Sequence, residues 1–177
     1  MMKALALSIL FLLLAIVQTS FFSALPGILA YAPLVIAAGI YLRQHVQEPS
    51  GAFWIVTFGL FLDMLAIPSF PLETISYGAA AIAVSLTSQH VFSNRSWYGL
   101  IACGGSAIVA MNVTRAVILG IVALRHPERV SWHAFGETLL WNLVLLFVFL
   151  AIFFAFAGQI RSFLKTTFMI SKDRDTL

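Results

Sequence analysis

Six long apolar stretches alternate with short polar or proline-containing breaks, over residues 4–22, 27–41, 52–67, 73–92, 97–124 and 133–156. A hydrocarbon core about 30 Å thick needs roughly 20 mostly apolar residues per helical crossing, so the pattern predicts about six transmembrane helices. The ten-residue alternation of a membrane barrel is absent, and an open β-ladder would leave its edges unpaired in lipid. The second stretch is the shortest, with Pro33 near its start, where a missing N–H costs little. The third ends at Pro68, and Pro71 closes a tight reversal, so the third and fourth are predicted to form a helical hairpin. The fifth is longer than a perpendicular crossing requires and is predicted to tilt, kink or project from the bilayer. The expected fold is an all-α integral membrane protein, a compact bundle over residues 1–160 followed by a basic cytoplasmic tail over 161–177.

Composition strengthens that picture. Hydrophobic residues make up 61% of the chain and charged residues 10%, with a mean hydropathy of +0.99, far from a soluble domain of ordinary make-up. With the N-terminus in the cytoplasm, Lys3, Arg43, Arg95, Arg161, Lys165, Lys172 and Arg174 lie on that side and only Arg125 and Arg129 outside. This bias places both termini inside. The net charge of +3 then reads as topology and attraction to anionic headgroups, not as a nucleic-acid footprint. Lys3 and the apolar run behind it resemble a signal sequence, but the run is longer than a usual signal core and no convincing A-x-A site follows, so an uncleaved helix is expected. Cys103 is the sole cysteine and is expected to be a buried packing residue.

Charges inside apolar runs carry the candidate chemistry. Asp63 precedes Pro68 by five residues and Arg115 precedes Leu124 by nine, which at about 1.5 Å per residue sets both in the outer half of the bilayer. The predicted intramembrane polar cluster is Asp63, Arg115, Asn112 and Glu137, with Asn112 or Thr114 supplying hydrogen bonds. A structural ion pair between the third and fifth helices, a proton or substrate path, and water exposure are the three readings of the Asp63 and Arg115 pair. Glu73 and Glu137 fit either an outward polar cavity or favourable placement near helix N-termini. Ala102, Ser106, Ala110 and Thr114 recur every four residues, a stripe that lets another helix approach closely. Its expected partner is the small-residue face around Gly78, Ala79 and Ala83. The histidines lack helical metal-ligand spacing, and Trp54, Trp97, Trp132 and Trp141 are placed like interfacial anchors. Neither a nucleophile with its base nor a phosphate-binding glycine loop stands out, and no cofactor is implied.

An ordered set of short motifs runs through most of the chain. It comprises Gln18-Thr19-Ser20 at the end of the first stretch, Pro33 opening the second with Tyr41 near its end, Gly51 before the third, and Phe58-Gly59-Leu60-Phe61-Leu62-Asp63 within it. Gly59 and Asp63, four apart, share one helical face. This set resembles MreD, a membrane protein family of the bacterial rod-shape and cell-wall elongation machinery. The chain departs from the family pattern at Leu34, where an acidic or amide residue is common, and at Glu73, where Pro-Leu-Gly is usual. The resemblance implies a non-enzymatic scaffold in the bacterial cytoplasmic (inner) membrane. Its implied partners are an MreC-like single-span protein, the glycosyltransferase RodA with its class B penicillin-binding protein, and MreB filaments. It also implies a fold similar to the substrate-binding subunits of energy-coupling-factor transporters, which leaves a transporter subunit as the rival reading and a membrane enzyme as a third. Gly59 joins Ala102, Ser106 and Ala110 as candidates for helix packing or a partner interface.

Overall fold

The computed structural model describes residues 2–66, 70–91, 96–125, 130–160 and 162, and every regular element among them is helical. Helix α1 (Met2–Ile16) runs on in π geometry over Val17–Phe22, and a 3-10 segment, Gly27–Tyr31, precedes α2 (Leu34–Tyr41). A π extension, Leu42–Val46, follows α2, and then comes α3 (Ser50–Ala66). Helix α4 (Leu72–Leu86) also ends in a π segment, Thr87–Val91, before α5 (Trp97–Arg125) and α6 (Trp132–Ala155). The basic tail expected over 161–177 lies outside the described residues, Ser162 excepted, as do Arg95, His126, Pro127 and Arg129.

Three helices among the described residues are long and apolar enough to cross a membrane, Ala4–Phe22, Trp97–Leu124 and Trp132–Ala155. The chain is thus all-helical with three candidate spans, coarser than the six predicted. The reasons are local. Pro33 forces Ala32 into extended backbone and splits the second stretch, leaving α2 and its extension at Leu34–Val46. Helix α3 also falls short at Ser50–Ala66, and α4 carries Glu73, Thr74 and Ser76 at one end and Thr87, Ser88 and Gln89 at the other.

The shortest helix is the centre of the bundle. All eight residues of α2 are buried, and α1, α3, α5 and α6 pack around it. An amide from α1's extension secures its start, where the Val35 N–H donates to Gln18 Oε1 at 2.7 Å. That bond satisfies one of the orphan donors of a helix whose first turn follows a proline. Helix α3 crosses α2 where two glycines meet. A Cβ at Gly51 would collide with the Gly39 carbonyl oxygen, and one at Gly39 would lie 2.8 Å from the Gly51 carbonyl oxygen. Val35, Ile36, Ile40, Phe58, Leu100, Met111, Leu146 and Leu150 fill the core.

Trp54 corrects one expectation. It is only 3% exposed and packs on Phe11 of α1 at 5.8 Å between ring centroids, so it is a core residue and not an interfacial anchor. Cys103 is fully buried, as expected, with its thiol 3.7 Å from Gln44 Oε1.

The outer surface has the opposite character to that of a water-soluble bundle. Val109, Val113, Val117 and Ile121 form an exposed apolar row on α5, and Leu140, Val144, Val148 and Ile152 form another on α6. Hydroxyl and amide side chains on the helices donate back to carbonyls four residues earlier, as Thr19, Ser76, Thr87, Thr114 and Thr138 do at 2.7 to 2.8 Å. Apolar rows outside and self-satisfied polar groups suit a helix in lipid, where each unpaired group costs several kcal/mol. In water such rows would form an extended apolar patch.

Candidate functional site

Asp63, Glu73, Thr74 and Arg115 converge where α3, α4 and α5 meet. Asp63 lies one turn before the end of α3, buried to 8% exposure, and faces the first turn of α4. Its Oδ1 accepts from the Glu73 N–H at 3.2 Å, and its Oδ2 accepts from the Thr74 N–H at 2.7 Å and the Thr74 hydroxyl at 2.6 Å. Pro71 at the N-cap position brings no capping side chain of its own, so the cap for α4 comes from the neighbouring helix. A carboxylate there satisfies two orphan N–H groups and meets the positive end of the helix dipole.

Glu73, in that same first turn, points the other way. Its Oε2 accepts from Arg115 Nη2 of α5 in a tight ion pair, the two side chains being 28% and 14% exposed. The Arg115 guanidinium also lies 5.6 Å from the centre of the buried Tyr77 ring, within cation–π range. The Arg115 Nε is buried without a hydrogen-bond partner. Two acids on one helical hairpin thus serve two neighbours: Asp63 fastens α3 to α4, and Glu73 fastens α4 to α5.

This arrangement corrects the direct Asp63 to Arg115 pair expected from depth. The donors of α4 lie closer along the hairpin and occupy both carboxylate oxygens of Asp63, and the first-turn Glu73 takes the arginine. Asn112 and Thr114 contribute nothing to the pair. Asn112 is buried but donates to the Ile108 carbonyl at 2.9 Å, and Thr114 donates to the Ala110 carbonyl at 2.8 Å, both within α5. Glu137 is exposed on α6, and none of its contacts joins it to this cluster. Ser131, not Glu137, caps α6, its side chain accepting from the Ala134 N–H at 3.3 Å.

Gly59 sits one turn before Asp63 and explains how α3 comes so near α4. A Cβ there would be 2.7 Å from the Tyr77 Cβ and 2.8 Å from the Glu73 carbonyl oxygen. Ser106 is joined to α4 as well, its hydroxyl lying 3.0 Å from the Thr87 hydroxyl. Ala102 and Ala110 are half-buried on the same stripe. Gly78 was expected at a close approach, yet a Cβ there would meet open space; Gly104 instead meets α6, 2.8 Å from Leu150 Cδ1.

Known protein families, curated proteins and solved structures offer no match to the chain.

Chemically, the cluster is a clamp. Both Asp63 oxygens and one Glu73 oxygen are engaged by groups of the protein itself. Among the described residues no group of three His, Cys, Asp or Glu side chains is placed to hold a metal ion. Cavities lie at the opposite ends of these helices, one of about 330 Å³ between α1 and α3 around Ser8, Glu48, Ser50 and Trp54, and another of about 260 Å³ between the ends of α2 and α4. Sequence reasoning missed the roles of Gln18 and Glu73. The available signals were an amide at the end of an apolar run and a carboxylate directly after Pro71-Leu72.

Proposed function

We propose that this chain is a non-enzymatic membrane scaffold of the bacterial cell-wall elongation complex. In this reading it lies in the cytoplasmic membrane with six crossings and both termini in the cytoplasm. It binds the transmembrane helix of an MreC-like partner and links it to RodA with its class B penicillin-binding protein, and to MreB. The observation that carries the reading is the α3–α4–α5 clamp: its acids and its arginine are directed at neighbouring helices, which rigidifies a block and leaves long apolar rows facing outward. A scaffold needs a stable shape more than it needs reactive groups. The ordered motifs from Gln18 to Asp63 supply the particular complex, and two of them, Gln18 and the Gly59 to Asp63 pair, sit at helix junctions.

Within lipid, a partner's single span is held by close packing and a few polar contacts, since lipid tails compete equally for apolar surface. Gly59 and Ser106 are already engaged inside the bundle, so the partner's span is assigned to the outward rows of α5 and α6. An affinity pull-down of the tagged protein from its native membrane in mild detergent, followed by mass spectrometry, tests the proposal. Recovery of a single-span coiled-coil protein with RodA and its transpeptidase is expected. Recovery of an ATPase and a coupling subunit would replace the scaffold with a substrate-binding subunit of an energy-coupling-factor type transporter.

A further inference from the structure

The cavity between the ends of α2 and α4 lies far from the clamp, and its lining is unlike the rest of the bundle. Among the described residues Arg43, Gln44, Gln47, Ser88 and Gln89 line it, all of them polar and none acidic, around about 260 Å³. Gln44 is buried in the wall, Arg43 is half-buried, and Gln47 and Gln89 are exposed at the rim. The Arg43 Nε is buried without a hydrogen-bond partner. A guanidinium carries five donors and no acceptor. Arg43 lines the cavity, so a ligand that brings acceptor oxygens there meets the charge of its guanidinium.

We infer that this cavity is a binding site for an anionic phosphate ester, held by Arg43 and by the amide and hydroxyl groups around it. Polar cavities with a basic residue between helix ends are where headgroup phosphates bind membrane proteins. The carboxyl ends of α2 and α4 oppose an anion with partial charges of about one half each. Among the described residues of the lining Arg43 is the only cation, so the attraction for an anion is assigned to it. The phosphate belongs either to a phospholipid headgroup or to a soluble ester, and the two are separable by experiment.

The test uses the full-length protein purified in mild detergent and stripped of lipid. Native mass spectrometry and thermal unfolding are followed with phosphatidylglycerol, phosphatidylcholine or inorganic phosphate. Phosphatidylglycerol is expected to remain bound and to raise the unfolding midpoint, with phosphatidylcholine retained about tenfold less. Arg43→Gln should reduce phosphatidylglycerol retention about tenfold. Gln89→Glu changes an exposed rim residue with little demand on folding and should reduce retention comparably by adding a negative charge, so it carries the test should Arg43→Gln not fold. Equal stabilisation by inorganic phosphate, lost in both variants, would assign the site to a soluble phosphate. Equal retention of both lipids, or retention unchanged in Gln89→Glu, overturns the inference.

Discussion

At the scale of single residues, the informative feature is which acid meets the arginine. Asp63 and Glu73 are both close to Arg115 in depth, but only Glu73 forms the ion pair, while Asp63 caps α4. Breaking a partly buried pair from one side leaves an uncompensated charge, at a cost of up to about 3–5 kcal/mol, the value for a fully buried pair. Glu73→Gln and Arg115→Gln should therefore each destabilise strongly, and the double variant should cost much less than the sum. A double-mutant cycle by reversible unfolding in mixed detergent measures this, with a coupling of about 1–3 kcal/mol expected for Glu73 with Arg115. The Asp63 and Arg115 cycle should give a smaller coupling. A larger value for Asp63 would return the pairing to the one that depth alone suggests. Depth was readable in the sequence because rise per residue is fixed; partner choice was not, because it depends on side-chain direction and on competition from the α4 N–H groups.

Between elements, glycines set the crossings. At Gly59 the backbone of α4 stands where a side chain would go, and neither the Tyr77 Cβ nor the Glu73 carbonyl is a flexible end that can yield. Gly59→Ala should destabilise by about 1–3 kcal/mol, the usual cost of overpacking. Gly78→Ala, whose added methyl meets open space, should stay within about 0.5 kcal/mol. Thermal unfolding of the two variants side by side checks the contrast, and equal effects would remove the crossing from Gly59. The hydrophobic pattern located α3, α5 and α6 closely, since the expected 52–67, 97–124 and 133–156 became Ser50–Ala66, Trp97–Arg125 and Trp132–Ala155. It misjudged α2. The shortest of the six expected crossings, 27–41, contains α2 only at Leu34–Tyr41, and that helix is fully enclosed in protein, because hydropathy reports that residues avoid water and not whether protein or lipid surrounds them. The same blindness hid Trp54, whose place near the start of a run suggested an interface but whose ring packs on Phe11.

For the whole molecule, the open quantity is the number of crossings, and its parity is measurable. If α1, α5 and α6 alone cross, the two termini lie on opposite sides; six crossings return them to the same side. The proposed topology rests on the sequence distribution of Lys and Arg, which acts through short loops next to the helix ends. The bundle adds a physical reason for the shorter helices to cross with the others. Helix α2 is buried on every side, α3 and α4 are clamped to α5, and the proposed topology has them enter the bilayer with α5 as one packed body. Green fluorescent protein and alkaline phosphatase fused in turn to each terminus should report both ends in the cytoplasm. Ser131→Cys, at the exposed start of α6, should react with a membrane-impermeant maleimide added outside intact cells, while buried Cys103 leaves the parent protein unlabelled. Termini on opposite sides would eliminate six crossings, and labelling of Ser131→Cys only after cell lysis would invert the proposed orientation.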